Sequence, residues 1–313
     1  MLNNKRCKGS ALVSALFIMT LIAIAATAMS TRLRSDIYRT QPSIKSDKLY
    51  LASQAVMIWT FDQLSAKDLR LVALDERGKV MDYPKKFESI YPNTILKGEV
   101  FDLQARFNLN NLQDKKYQTI FYNLLENRLP KSDTIEPRDI VEAIINWISP
   151  YQPDAGRNRY FSYYMTRKPA YYPGYQLMQD VSELRSVFGI TPDIYKMLVP
   201  ELTTLPEVTP LNINTASKSM LQALGSGMTD SQIEEIIRAR GKKGIKDLAP
   251  ISPILNLLNI PKELITLQST YFLNVAHAWA NDMHLTVYTI IKRFKNKRGE
   301  IQISVVRQQL NTA

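Results

Sequence analysis

The chain has 313 residues, 45% of them hydrophobic and 22% charged, with a formal net charge of +11, two histidines and one cysteine. One cysteine excludes an intrachain disulfide framework, and the length allows two domains beyond a membrane segment. The basic excess falls to +8 without Lys5, Arg6 and Lys8; it reads first as a solvated surface, with nucleic acid or anionic lipid headgroups as the less ordinary partners.

At the N-terminus Lys5, Arg6 and Lys8 lead to Gly9, and no charge follows until Arg32 and Arg34. A hydrocarbon core of about 30 Å needs roughly 20 apolar helical residues, which residues 11–29 supply without Pro, Gly or charge. One reading is a secretory signal cut near Ala26 and Ala28. The other turns on the glycine: Lys5-Arg6-Cys7-Lys8-Gly9 resembles the leader of type IV pilin-like proteins, which a prepilin peptidase cuts on the cytoplasmic side after the glycine. That resemblance implies processing between Gly9 and Ser10, loss of Cys7 and retention of the apolar helix. Most members carry Glu at the fifth mature position, to meet the N-terminal amine of a neighbouring subunit; here that position is Ser14. The positive-inside bias places the leader in the cytoplasm and everything after Arg32 outside it.

Beyond the span, Leu49, Ala52, Ala55, Val56, Trp59 and Leu64 form a one-sided helical stripe. Pro42 is expected to kink or restart the helix, residues 43–47 making a new polar first turn. Residues 98–109 alternate strictly: Phe101, Leu103, Ala105, Phe107 and Leu109 are interleaved with Asp102, Gln104, Arg106 and Asn108. This predicts a half-buried strand. Alternation returns over residues 271–276, 284–291 and 300–307, with Asn281-Asp282 and Lys297-Arg298-Gly299 as turns.

The interval 110–269 reads as helical. Residues 117–129 and 139–148 have helical apolar spacing; Asp180 with Glu183 and Thr229 with Gln232 form capping boxes, and Thr191-Pro192 an N-cap followed by proline. The tyrosines at 160, 163, 164, 171, 172 and 175 predict a loop packed onto its own domain, with base or sugar stacking as the alternative. The expected fold is α+β: a pilin-like N-terminal transmembrane helix and a small antiparallel sheet, with a large inserted all-α domain. Its boundaries are a leader at 1–9, the span at 10–31, pseudopilin helix and first strand at 32–109, the insertion at 110–269 and a β-meander at 270–313.

The absent glutamate, the run at 102–112, Ile145-Asn146-Trp147-Ile148, Asp180-Val181-Ser182-Glu183-Leu184-Arg185, Leu211-Asn212-Ile213-Asn214-Thr215-Ala216 and Ser269-Thr270-Tyr271-Phe272 occur in an order that resembles the minor pseudopilin K family of the type II (general) secretion pathway. The resemblance implies a non-enzymatic, single-pass inner-membrane protein with a periplasmic C-terminal body. It further implies a pseudopilus-tip position, minor pseudopilins I and J as lateral partners, and prepilin peptidase and other secretion components as further ones. Lacking a carboxylate at Ser14, the subunit offers no partner to an amine above it, which suits the topmost place. The stripe from 49 to 64 and the sheet face are expected to make the partner contacts.

The family's helical domain is associated with calcium, which takes six to eight oxygen ligands, several of them carboxylates. Residues 147–158 hold only Asp154, opposed by Arg157, so no cofactor is expected there. The competing function is a membrane-anchored DNA-uptake protein. Leu211-Asn212-Ile213-Asn214-Thr215-Ala216, then Gly225-Ser226-Gly227 and Arg238-Ala239-Arg240 with Lys242, Lys243 and Lys246, resembles a helix-hairpin-helix unit that binds phosphate through turn amides. Ser226 stands where that hairpin needs an apolar anchor, and no nucleic acid is expected. His277 and His284 show no metal-ligand spacing and no catalytic motif is present, so an enzyme is not expected.

Overall fold

The computed structural model describes residues 10–130, 135–151 and 159–312. Helix α1 (Ser10–Leu64) runs unbroken for 55 residues, about 80 Å at 1.5 Å per residue. Pro42 lies inside it and does not restart it. The reason is local: proline removes the bond to the Tyr38 carbonyl, but residues 38–45 are exposed, so that carbonyl is open to solvent.

Two strands follow, β1 (Lys79–Asp82) and β2 (Ile95–Asp102). The chain then passes through β3 (Phe107–Asn108), α2 (Lys115–Arg128), α3 (Pro137–Ile148), α4 (Arg159–Met165), α5 (Pro192–Leu198), β4 (Leu202–Thr203), β5 (Leu211–Asn212), α6 (Lys218–Leu224), α7 (Asp230–Arg240), α8 (Ser252–Leu257) and β6 (Ile265–Thr266). It returns as β7 (Tyr271–Ala280), β8 (Met283–Lys295) and β9 (Ile301–Thr312). The large sheet is antiparallel with order β1-β2-β7-β8-β9. The architecture is α+β, as the sequence predicts.

The expected strand over 98–109 is displaced: β2 starts at Ile95 and ends at Asp102, where a 3-10 turn over Leu103–Ala105 takes the chain out of the sheet. The alternation misleads because its polar members do not face water. Asp102, Gln104 and Asn108 are buried and hydrogen-bonded to segments about a hundred residues away. The interval 110–269 is not wholly helical either. Parallel two-residue pairs tie β4 back to β3, just before the interval, and β5 to β6 within it. The tyrosine-rich segment contains α4 rather than a continuous loop.

Capping chemistry accounts for the helical punctuation. Both predicted boxes form, Asp180 with Glu183 on a 3-10 turn and Thr229 with Gln232 on α7, and the Thr191 hydroxyl accepts from Ile194 N. Asn281 (φ +52°) and Gly299 (φ +77°) make the turns between the C-terminal strands.

Two apolar regions hold the body. One, centred on Phe107, Phe121, Ile140, Trp147, Leu198 and Leu221, fills the helical block. The other lies between α1 and one face of the sheet, where Leu49, Ala52 and Val56 meet Leu96, Ala276, Ala278, Leu285 and Val287. Farther along, Leu64 meets Val100, Phe272 and Ile291.

Candidate assembly surfaces

Residues 11–45 of α1 are exposed along their whole length. Leu12, Leu16, Phe17, Ile22 and Ile24 are each more than 60% exposed, an arrangement stable only in lipid or against other helices. By length and composition this helix can cross a membrane once. Its polar side chains are satisfied internally: the hydroxyls of Thr20, Thr27 and Thr31 donate to the carbonyls of Phe17, Ala23 and Thr27. Ser14 lies in the second turn on this exposed arm, and Ser10 begins the helix. Gly9 lies outside the described residues.

The stripe that the sequence offers to partners is used within the chain. Leu49, Ala52, Val56 and Leu64 are buried against the sheet, and Thr60 donates to Asn274 Oδ1 at 2.9 Å. The predicted contact face is therefore wrong by half a turn. An apolar row on the opposite side is free: Ile37, Ile44, Leu51 and Ile58 recur every seven residues and are 44–66% exposed. Sequence spacing alone contains this row; burial decides between the two faces. At its end, α1 receives an unexpected cap when Arg293 of β8 donates from Nε to Leu64 O and from Nη2 to Ala66 O, each at 2.8 Å.

The helical block is stitched to the sheet where the chain crosses between them. Asp102 is fully buried and accepts from Gln104 N (2.8 Å), Asn212 Nδ2 (2.8 Å), Thr215 Oγ1 (2.6 Å) and Ser269 Oγ (2.7 Å). Burial is the strongest influence on its carboxyl and raises it above the ordinary carboxylate range, against the pull of these donors. Asn108, Asn110 and Asn111 repeat the pattern toward residues 178 and 205–209. On the sheet face away from α1, Glu207 pairs with Lys292 at 2.7 Å and accepts from Tyr271, and Arg307 pairs with Asp180 at 3.5 Å. This half of the face is covered by the chain itself.

The other half carries the two histidines. His284 stacks on Trp279 with centroids 4.8 Å apart, and His277 stacks on both. The Thr286 hydroxyl lies 3.0 Å from His277 Nδ1 and 3.2 Å from His284 Nε2. Both are half-buried strand residues. The tyrosines also pack inward: Tyr164 is buried against Trp147 and Tyr171, and desolvation pushes its hydroxyl up to about 12.

The helix-hairpin-helix resemblance loses one of its cations here, while Arg238, Lys242, Lys243 and Lys246 stay exposed. α6 and α7 do flank Gly225-Ser226-Gly227, but Ser226 is tied to Asn123 and Arg240 is only 8% exposed. Arg240 Nε and Nη2 are buried without a partner, and desolvation lowers this guanidinium to about 10. Among the described residues no group of three or more His, Cys, Asp or Glu is placed to hold a metal ion. Asp154 lies outside the described residues.

Two models of the family described as type II secretion system (T2SS), protein K, match residues 105–207 and 211–281, together more than half of the chain. The chain is similar to type II secretion system protein K of Klebsiella pneumoniae, 28% identical over 264 residues and 79% of each protein. It is also similar to that of Aeromonas hydrophila, 25% identical over 334 residues, 94% of this chain and 95% of the relative. A chain of the GspK-GspI-GspJ complex from the enterotoxigenic Escherichia coli type 2 secretion system shares the fold, with a TM-score of 0.68 at 22% identity over 87% of this chain and 99% of that one. A free apolar arm, the sheet it packs on and a helical block held over that sheet thus have a common explanation: this is a minor pseudopilin, and the chain belongs to the type II secretion system protein K family.

Proposed function

We propose that the chain is a non-enzymatic tip subunit of the type II secretion pseudopilus, anchored in the inner membrane with its body in the periplasm. The observation that carries this reading is the bare arm, residues 11–45 of α1, continuous with a helix whose inner face is already occupied by its own sheet. Such an arm has two environments to fill, lipid before assembly and neighbouring helices after it. The row at Ile37, Ile44, Leu51 and Ile58 is the face on which those helices pack. Minor pseudopilins I and J are the proposed partners, supported by the composition of the complex whose chain shares this fold. The block between 110 and 269, read as an inserted domain, supplies the bulk that obstructs further subunits.

Prepilin peptidase cleavage between Gly9 and Ser10 is part of the same proposal, as is the role of Ser14. The N-terminal mass of the membrane-bound protein, made with and without the peptidase, tests it. A peptidase-dependent start at Ser10 supports the reading, and a start near Met29 removes it. If the missing carboxylate fixes the tip position, Ser14→Glu disturbs assembly and secretion; unchanged assembly would discard that role. The loop at 147–158 is proposed to hold no calcium, a statement refuted by tight stoichiometric uptake that Asp154→Ala abolishes.

A further inference from the structure

Beside the capping-box turn that Asp180 opens lies a concavity that neither membrane anchoring nor helix packing uses. It measures ≈ 270 Å³ and is lined by Arg185, Ile190, Thr191, Pro192, Tyr195 and Lys196. The sequence shapes it locally. Gly189 (φ +84°) turns the chain between the capping-box turn and α5, Thr191 caps that helix, and Pro192 begins it. Residues three and four apart share a helix face, which puts Tyr195 and Lys196 on the same side as the proline. Ile190 and Tyr195 also pack against the core of the helical block, so the floor of the pocket is anchored.

The rim is cationic. Arg185 lies over the Tyr195 ring with its Cζ 4.4 Å from the centroid, and its guanidinium makes no hydrogen bond or ion pair among the described residues. Lys196 is exposed and equally unpaired among them. The neighbouring carboxylates do not serve: Asp180 pairs with Arg307, and Asp193 of α5 is exposed and pairs with neither cation among the described residues. Thr191 Oγ1 accepts from Ile194 N, which leaves its own proton free to donate. The pocket is thus an apolar, partly aromatic floor with donors around it and no carboxylate in its lining. Its volume falls below the roughly 300–1,000 Å³ of sites that enclose a small molecule and suits one ring-bearing side chain with its backbone.

We propose that this pocket docks a segment of a different polypeptide in which an aromatic residue stands directly beside an aspartate or glutamate. The ring lies on Ile190, Pro192 and Tyr195, and the carboxylate accepts from Arg185 and the Thr191 hydroxyl with Lys196 within reach. Arg185 is already held on the Tyr195 face, so little of its freedom is lost on binding. A second copy of this chain does not supply the segment. Its own pairs of this kind, Phe61-Asp62, Asp82-Tyr83, Phe87-Glu88 and Phe101-Asp102, all have their rings packed in their own body.

The test uses the full chain in detergent micelles and the hexapeptide Gly-Ser-Phe-Asp-Ser-Gly, with a photo-probe in which benzoylphenylalanine replaces the Phe. Crosslinks mapped by mass spectrometry are expected within residues 181–198 and are competed away by the unmodified peptide. Competitors with Asn in place of Asp, or Ala in place of Phe, are expected to be about tenfold less potent. Arg185→Gln brings the Asp and Asn competitors to equal potency and leaves the melting temperature unmoved, because Arg185 is exposed. Crosslinks elsewhere, no competition at millimolar peptide, or competition indifferent to the carboxylate or the ring overturns the proposal. So does an equal loss in a chain carrying Lys242→Gln and Lys243→Gln, which would mark general attraction to a basic surface. The peptide comparisons need only the unaltered chain, so they stand whatever the variants do to folding.

Discussion

Gly98 of β2 and Val56 of α1 are packed so closely that a Cβ built on Gly98 would lie 2.3 Å from Val56 Cγ1. The same Cβ would meet Tyr83 Cβ at 3.1 Å, so turning the Val56 side chain alone does not clear the site. Gly98→Ala is therefore expected to destabilise the body by about 1–3 kcal/mol through overpacking. Val56→Ala made in the same chain recovers part of that loss, a non-additivity that thermal or urea unfolding of the four variants would measure.

Asp102 makes a second, longer-range tie. Its carboxylate bonds Ser269 across 167 residues of chain, where the polypeptide leaves and re-enters the sheet. Asp102→Asn turns an all-acceptor group into one that points an amide at buried donors. A loss of about 2–4 kcal/mol is expected, with faster hydrogen exchange over residues 211–216 and 269–272. Unchanged exchange there would mean that the neighbouring asparagines hold the junction without it.

These two sites mark where the sequence is readable. α1, the three C-terminal strands and the caps at Asp180, Thr191 and Thr229 are legible because their signals are local, being apolar period, turn residues and N-cap chemistry. The end of β2 is not. Asp102, Gln104 and Asn108 look like the wet side of a strand, and only partners such as Pro210, Glu207 and Asn212 reveal that they are buried. The stripe on α1 fails for a related reason: it is real, but the sequence does not say whether it meets a partner or its own sheet.

Arg240 offers a test of buried charge. With Nε and Nη2 unpartnered, its desolvation is offset only in part, by the charge of Glu76. Arg240→Met, which keeps the length and removes the charge, should leave stability unchanged or raise it by about 1–3 kcal/mol. A loss instead would show that the guanidinium has a counter-group in solution.

The row on the outer side of α1 separates assembly from folding. Leu51→Asp and Ile58→Asp should leave the melting temperature of the isolated chain nearly unchanged, since exposed substitutions usually stay within about 0.5 kcal/mol. Co-purification with minor pseudopilins I and J should be lost. Leu49→Asp, on the buried side, should unfold the body. Retained co-purification with both outer variants would move the interface elsewhere.

His277 gives the body an acid sensitivity of known sign. Burial lowers its pKa below the ordinary 6.5, His284 and Lys97 lower it further, and Glu99 opposes them. The unfolded chain thus takes up the proton first as pH falls below 6.5, and stability declines from there through the lower folded value. Melting temperatures measured between neutrality and about pH 5 should fall less steeply in His277→Gln; parallel curves would assign the acid loss to other groups.

The register of β2 on β7 pairs Asp102 with Phe272, the last rung of one antiparallel ladder. Joined by a tight turn, those two strands would be an ordinary β-hairpin, so in topological terms the whole helical block occupies the position of a hairpin loop. Loop-closure entropy rises only with the logarithm of length, so a loop that contributes its own folded core imposes little penalty on the ladder it interrupts. The pilin-like frame can therefore enlarge, exchange or shed that block over evolutionary time while keeping the same five strands, provided the two ends of the replacement emerge side by side.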